Sequence, residues 1–306
     1  MKTQIIKTLS VLIVLFVPVV IFAQDGSDSK PPVEVVKATF ENSMFINNQT
    51  VQTHDKGYMD MAIQHRFGLA DKASDIYGIY APSNIRLYFG YGITKKLSVG
   101  IAATKNKQLY DFSWKYAILN QKTSGMPVSL VYHGNVARTA IDKKTFLNQE
   151  NKFKATNRLS YYNEIMISRK FSSKISVQAS FNYVHYNMVD SALLFDHHDL
   201  YGFSAIARYK FSPQGSFMIE YDQPLNVSDI DWNPTKIKGL PHRPLPNIGI
   251  GVEFSTGYHQ FQIFVCNSNG ILSQEAKYFN TNDFTNFGIP AWLLGFNITR
   301  QFGFGE

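Results

Sequence analysis

Metal-type ligands are densest at Asp196-His197-His198-Asp199. Imidazole and carboxylate together can hold zinc or a similar divalent ion. Adjacent histidines on an extended chain point opposite ways, so His197, His198 and Asp199 would need another ligand from elsewhere. The spacing fits a polar loop tip better, and neither a metal nor another cofactor is expected. A hydrolase would need a serine, a histidine and a carboxylate meeting at one point. Ser160 or Ser168 with His133 could be forced into that role, but no Gly-x-Ser-x-Gly is present. No nucleophile is spaced beside His65 or His259, and an enzyme is not the expectation. The third candidate is Gly90-x-Gly92 followed by Lys95-Lys96, within RLYFGYGITKKLSVGIAAT. A phosphate-cradling loop needs Gly-x-x-x-x-Gly-Lys-Ser/Thr between a strand and a helix. The spacing here is different, and nothing after Lys96 has a helical period.

The elements around these residues are strands. Ile85, Leu87, Phe89, Tyr91 and Ile93 fall on one face, and Asn84, Arg86, Tyr88, Gly90 and Gly92 on the other. After Thr94-Lys95 the alternation resumes, so the two lysines belong to a hairpin turn. Side chains of a strand alternate across the sheet, and a period of two therefore means one apolar and one polar face. The same pattern recurs along the chain and predicts strands near 58–67, 84–93, 96–104, 109–119, 127–137, 157–169, 174–186, 200–211, 215–221, 247–255, 259–267 and 291–302. No segment shows a convincing 3.6-residue period.

From residue 138 onward, long connections (138–156, 187–199, 222–246, 268–290) alternate with short ones (170–173, 212–214, 256–258). Membrane barrels have long external loops and short periplasmic turns, with an even strand number and both ends on the periplasmic side. Counting back from the last strand satisfies that parity. The expected fold is all-β: a single antiparallel transmembrane β-barrel of about 12 strands, or 14 if residues 33–52 add two more. Aromatic residues near strand ends, such as Tyr110, Tyr116, Tyr183, Tyr201, Phe211 and Phe302, suit interfacial girdles. A soluble exported sandwich with an aromatic core is the alternative.

Residues 1–23 have the form of a cleaved secretory signal: Lys2 and Lys7, an apolar run from Leu9 to Phe22, then Ala23. Residues 24–57 form a lead-in, partly strand or lumenal, and 58–306 the barrel. Of the 306 residues 44% are hydrophobic and only 17% charged, and mean hydropathy is −0.16, which excludes a bundle of apolar helices but not a barrel. The single cysteine, Cys266, cannot form an intramolecular disulfide and reads as a buried thiol. The formal net charge of +7 is dispersed along strands, so nucleic acid is not an expected partner.

On the polar faces Asp60, Asp111, Glu164, Glu220 and Glu253 stand against Arg66, Arg86, Lys115, Arg208 and Lys210. A balanced set suits inward ion pairing better than a strongly ion-selective pore.

The stretches AIQHRFG (62–68), NIRLYFGYGITKKLSVGI (84–101), VEFSTGYHQFQIFVCNSNG (252–270) and GFNITRQF (295–302) resemble an uncharacterised β-barrel family of Bacteroidetes, over roughly Val33 to Phe304. The motif residues are His65, Arg66, Phe67 and Gly68 together with Gly257, His259, Phe261 and Gln262. The resemblance implies an exported outer-membrane barrel and supplies no substrate and no catalytic residues. His65 and His259 are expected to be structural residues near strand ends. The functional expectation is a narrow polar or gated channel for small solutes. The alternative is a structural or binding barrel with an ion-paired lumen that docks a periplasmic partner through residues 33–57. Outer-membrane lipid and the barrel-assembly machinery are the other expected partners.

Overall fold

The computed structural model describes residues 32–69, 78–142, 153–188, 198–225, 244–285 and 292–304. The expected signal segment and His197 lie outside them. Twelve strands form one closed antiparallel barrel. They are β1 (Tyr58–Arg66), β2 (Asn84–Gly92), β3 (Leu97–Thr104), β4 (Leu109–Leu119), β5 (Ser129–Thr139), β6 (Leu159–Lys170), β7 (Ile175–Tyr186), β8 (Asp199–Lys210), β9 (Gly215–Pro224), β10 (Asn247–Thr256), β11 (His259–Cys266) and β12 (Leu293–Gly303). Each pairs with its sequence neighbours. β1 closes the barrel on β12, from Tyr58 opposite Gly303 to Arg66 opposite Gly295.

Period-two alternation sets which side chain faces where. Leu87, Phe89, Tyr91, Ile101, Phe112 and Phe217 are exposed, whereas Arg86, Asp111, Lys115 and Glu220 are buried. That inverts the usual soluble arrangement, in which charged residues are almost never fully buried unless paired. An apolar exterior around a polar interior is how a membrane barrel is built. Short turns close one end. Lys95 and Lys96 lie in the β2–β3 turn, where the Ile93 N–H donates to Leu97 O at 2.9 Å. Gly257, at φ 56°, opens the two-residue β10–β11 turn, where an L side chain would be strained.

The alternative of fourteen strands is excluded by this closure. Residues 39–54 add nothing to the wall. They enter from the short-turn end and fold back on themselves inside the barrel. The Thr50 N–H donates to Ser43 O at 3.0 Å and the Phe45 N–H to Asn48 O at 2.8 Å, so the tip is Phe45-Ile46-Asn47-Asn48. The stretch carries amides and apolar residues without a period of two, and a strand with one lipid face cannot be made from it. Instead Phe40, Phe45, Ile46 and Val51 pack against inward-facing Met166, Ile206, Met218, Phe264 and Cys266. The hydrophobic core thus lies between this lumenal hairpin and the wall, and Cys266 is part of it.

From the opposite end, the β11–β12 connection sends a short helix, α1 (Ser273–Tyr278), into the barrel mouth, with Gln274, Ala276, Lys277 and Tyr278 buried. Where the hairpin root leaves the lumen, a Cβ on Gly92 would lie 2.0 Å from Asp55 O. Glycine is required there by the close approach of a second backbone.

Candidate functional site, a lumen filled from both ends

Arg66, at the inward end of β1, is 0% exposed. Its guanidinium donates to Asn47 Oδ1 (3.1 and 2.9 Å), Ile46 O (2.7 Å), Asn297 Oδ1 (3.0 Å) and its neighbour's His65 O (2.9 Å). It also lies 4.4 Å from the Phe264 ring centroid. Across the barrel, Glu220 of β9 accepts the Asn47 N–H at 2.9 Å and the Asn47 and Asn48 amides at 2.8 and 3.0 Å. The tip is therefore clamped between a buried cation and a buried anion, each satisfied by neutral groups of the hairpin. Asn297 of β12 donates to Ile46 O at 3.1 Å and to Gln262 Oε1 at 2.8 Å, and Gln262 in turn donates to Met44 O at 3.1 Å.

Lower in the lumen, Lys115 of β4 donates to three hairpin carbonyls, Ser43 O at 2.5 Å, Thr50 O at 3.0 Å and Gln52 O at 3.4 Å. Gln178 of β7 accepts the Val51 N–H and donates to Gln49 O, both at 2.8 Å. At the root, Glu41 of the hairpin is bound by Arg208 and Lys210 of β8, each at 2.9 Å. Burial raises the Glu41 pKa, but these two cations outweigh it and hold the carboxyl below its ordinary value. Glu253 lies 3.9 Å from Arg208 and accepts from Gln262 at 3.1 Å. Asp60 meets the hairpin's His54 at 3.1 Å.

At the other mouth, Lys277 of α1 is buried and reaches wall and hairpin together. Its ammonium donates to Ser204 Oγ (2.5 Å), Asp222 Oδ1 (3.1 Å) and Asn48 Oδ1 (2.5 Å), and lies 3.5 Å from Glu164 Oε1. Tyr278 donates to Asn182 Oδ1. Gln274 donates to Asn135 Oδ1 at 2.9 Å. The exposed end of α1 is fastened to the β3–β4 loop by Lys107 and Glu275 at 2.7 Å, with the Lys107 ammonium 3.5 Å from the Phe279 ring centroid.

Nine of the ten charged residues read from the polar faces are buried, and Lys210 is half-buried at a strand end. Among the described residues, pairing of these ten with one another is limited to Arg86 with Asp111, at 2.7 Å, and the long Arg208–Glu253 approach. Most of these charges are instead satisfied by the hairpin or by Lys277, several of them as ion pairs. The two sequence motifs divide between the faces. Arg66 and Gln262 turn inward and hold the hairpin tip. His65 stacks on Phe296 at 5.0 Å and contacts Phe67 at 4.3 Å. His259 stacks on Phe261 at 6.3 Å on the lipid side. Gly68 bonds to Gly78 O at 3.0 Å in the β1–β2 connection.

His198 and Asp199 do not share a ligand set. His198 Nδ1 bonds Tyr186 O at 2.5 Å, and Asp199 bonds Tyr183 and His185 at 2.6 and 2.8 Å. Among the described residues no group of three metal-type ligands converges. The register sets His133 opposite Glu164, which leaves Ser160 and Ser168 each four residues away along β6, about 13 Å at ~3.3 Å per residue. The hydrolase constellation is not assembled. Sequence reasoning missed Glu41, Asn47, Asn48, Lys277 and Asn297. The detectable signal was the run of amides at 47–49 beside apolar residues in a stretch without strand period.

A family model described as a membrane bound beta barrel domain (DUF5777) matches residues 40–302, a span that includes the lumenal hairpin and runs into β12. No curated protein matches the sequence. Among solved structures the chain is similar to the KdgM porin, at 9% identity and a TM-score of 0.45 over 81% of this chain and 99% of that one. It is similar to the NanC porin at 9% identity and a TM-score of 0.46, over 81% of this chain and 100% of that one. An outer membrane channel from Pseudomonas putida F1 matches at 13% identity and a TM-score of 0.44, over 82% of this chain and 97% of that one.

Proposed function

The chain belongs to the membrane bound beta barrel domain family (DUF5777), and from that premise we propose that it is an outer-membrane channel for small polar solutes, closed at rest by the hairpin and by α1. Export through a cleaved signal and insertion by the barrel-assembly machinery belong to the same reading. The observation that carries it is the chemistry of the wall behind the hairpin. A barrel meant to stay filled could line its interior with apolar side chains. This one buries Arg66, Lys115 and Glu220 against neutral hairpin groups. Burying a charge costs several kcal/mol of hydration, a cost that a permanently filled lumen has no need to incur. Water would satisfy the same three side chains if the hairpin withdrew. Withdrawal breaks no wall ladder, but it exposes Phe40, Phe45, Ile46 and Val51, so opening is an infrequent event at rest. Planar-bilayer recordings test this. The intact protein gives rare or small conductance steps, and a variant lacking residues 39–52 gives frequent, larger ones. A silent bilayer with both would overturn the reading.

A second reading keeps the periplasmic partner. Residues 33–36 lie extended against the β4–β5 turn: Val35 bridges Lys122, and the Val36 N–H donates to Gln121 O at 2.8 Å. Val33 and Val35 are exposed there, which suits pairing with another strand. Pull-down with and without residues 33–57 is the test, and identical partner lists would remove it.

A further inference from the structure

Lys277 comes from a loop, yet its ammonium sits in a fully formed pocket of the wall. Glu164 of β6, Ser204 of β8 and Asp222 of β9 converge on it, and the first and last of these are 1% exposed. The contacts are Ser204 Oγ at 2.5 Å, Asp222 Oδ1 at 3.1 Å and Glu164 Oε1 at 3.5 Å, with Asn48 Oδ1 at 2.5 Å closing the side toward the hairpin. Three donors on a compact charge meet four acceptors, which is how an ammonium is recognised. The site also has more capacity than Lys277 uses. Asp222 Oδ2 and the Tyr162 hydroxyl are buried without a hydrogen-bond partner among the described residues. Glu220, two residues from Asp222 on the same inward face, adds a third carboxylate that Asn47 and Asn48 cover only while the hairpin is seated.

We propose that Glu164, Ser204 and Asp222 form a lumenal binding site for the ammonium group of a small amine solute, and that Lys277 occupies it as a tethered surrogate when α1 is down. A solute amine and Lys277 then compete for one place. Binding of the amine releases α1, and with it the Lys277–Asn48 contact that joins the two lumenal segments. Neutral solutes of the same size gain nothing there, and two carboxylates facing a vacated site repel anions.

The inference rests on the channel reading, but its test needs no conductance. Lys277→Ala is purified in detergent and melted with n-butylammonium, with butanol and with magnesium. Butylammonium raises the melting midpoint of the variant by about 2–4 °C, the response of a protein that binds a ligand only when folded. Butanol and magnesium do not, and wild-type protein, in which the amine must displace Lys277, responds less to butylammonium and not to the other two. Adding Asp222→Asn removes the response. Refolding yield is the second readout: Lys277→Ala that refolds only with butylammonium supports the site. A variant that melts alike with and without the amine, responds equally to magnesium or butanol, or refolds in neither condition overturns it. A silent bilayer alongside a positive melt would sink the channel and leave the site standing, and the reverse result would do the opposite.

Discussion

The hairpin and α1 block the same lumen by opposite means. The hairpin offers mostly backbone carbonyls and amides, and the wall supplies the charges: Arg66, Lys115 and Glu220 reach inward to it. α1 supplies its own charge, and the wall answers with Asp222 and Glu164. The difference is one of reversibility. Hydrogen bonds from a charged group to neutral partners contribute about 1.5–3 kcal/mol each, and many act together on the hairpin. α1 spans only Ser273–Tyr278, too short to be stable alone, and depends on a few side chains. The hairpin is the firmer plug and α1 the looser lid.

The sharpest way to break that comparison is Arg66→Ala. It removes the guanidinium from Asn47 Oδ1, Asn297 Oδ1 and Ile46 O at once, leaving Ile46 O only the Asn297 amide. The seated hairpin should lose about 3–5 kcal/mol, the sum of two or more hydrogen bonds from a charged group. Hydrogen exchange of the Thr50 amide, bonded to Ser43 O, should speed up by two orders of magnitude or more, while the strand amides stay protected. Lys115→Met acts lower down and takes the ammonium from three carbonyls, of which Ser43 O keeps the Thr50 N–H, for about 2–3 kcal/mol. The same amide reports it, with a smaller gain in exchange rate. Unchanged exchange in either variant would show that the wall charges do not hold the hairpin.

Two milder changes sharpen the comparison. Lys107→Ala removes the half-exposed fastening of α1 to Glu275. Such a pair contributes about 0.5 kcal/mol, so exchange of the Ala276 amide should rise only two- to threefold, with the hairpin unaffected. Glu41 predicts a pH effect at the hairpin root. Its folded-state pKa lies below the ordinary 4.5, so its contribution is fully present above that value and is lost as pH falls through the folded pKa. Hairpin exchange, corrected for its intrinsic pH dependence, should rise as pH drops below about 4.5 in wild type. In Glu41→Gln that extra rise should be missing.

How much of this was legible in the sequence follows from the range of each interaction. Arg86, Asp111, Lys115 and Glu220 could be placed on the inward face because alternation is local: each strand carries its own pattern. The turn at Lys95-Lys96, the parity of the ends and the twelve-strand count needed only neighbouring segments. What each inward charge touches was not legible. Asn47 meets Glu220 across 173 residues, and Arg66 meets Asn297 across 231. Nothing periodic announces such a partner. Gln262 and Arg66 stood out as motif residues, but their common role at the hairpin tip emerges only when β1, β11 and β12 close the barrel.

The sequence by itself determined strands with one apolar and one charged face, because a period of two can be satisfied only by a sheet with two unlike faces, and closure into a barrel turned the charged face inward. Tertiary structure alone decided what fills that interior. Residues 39–54 and α1 carry no period of their own, and they take their conformations from the buried charges of a wall that exists only once the barrel has closed.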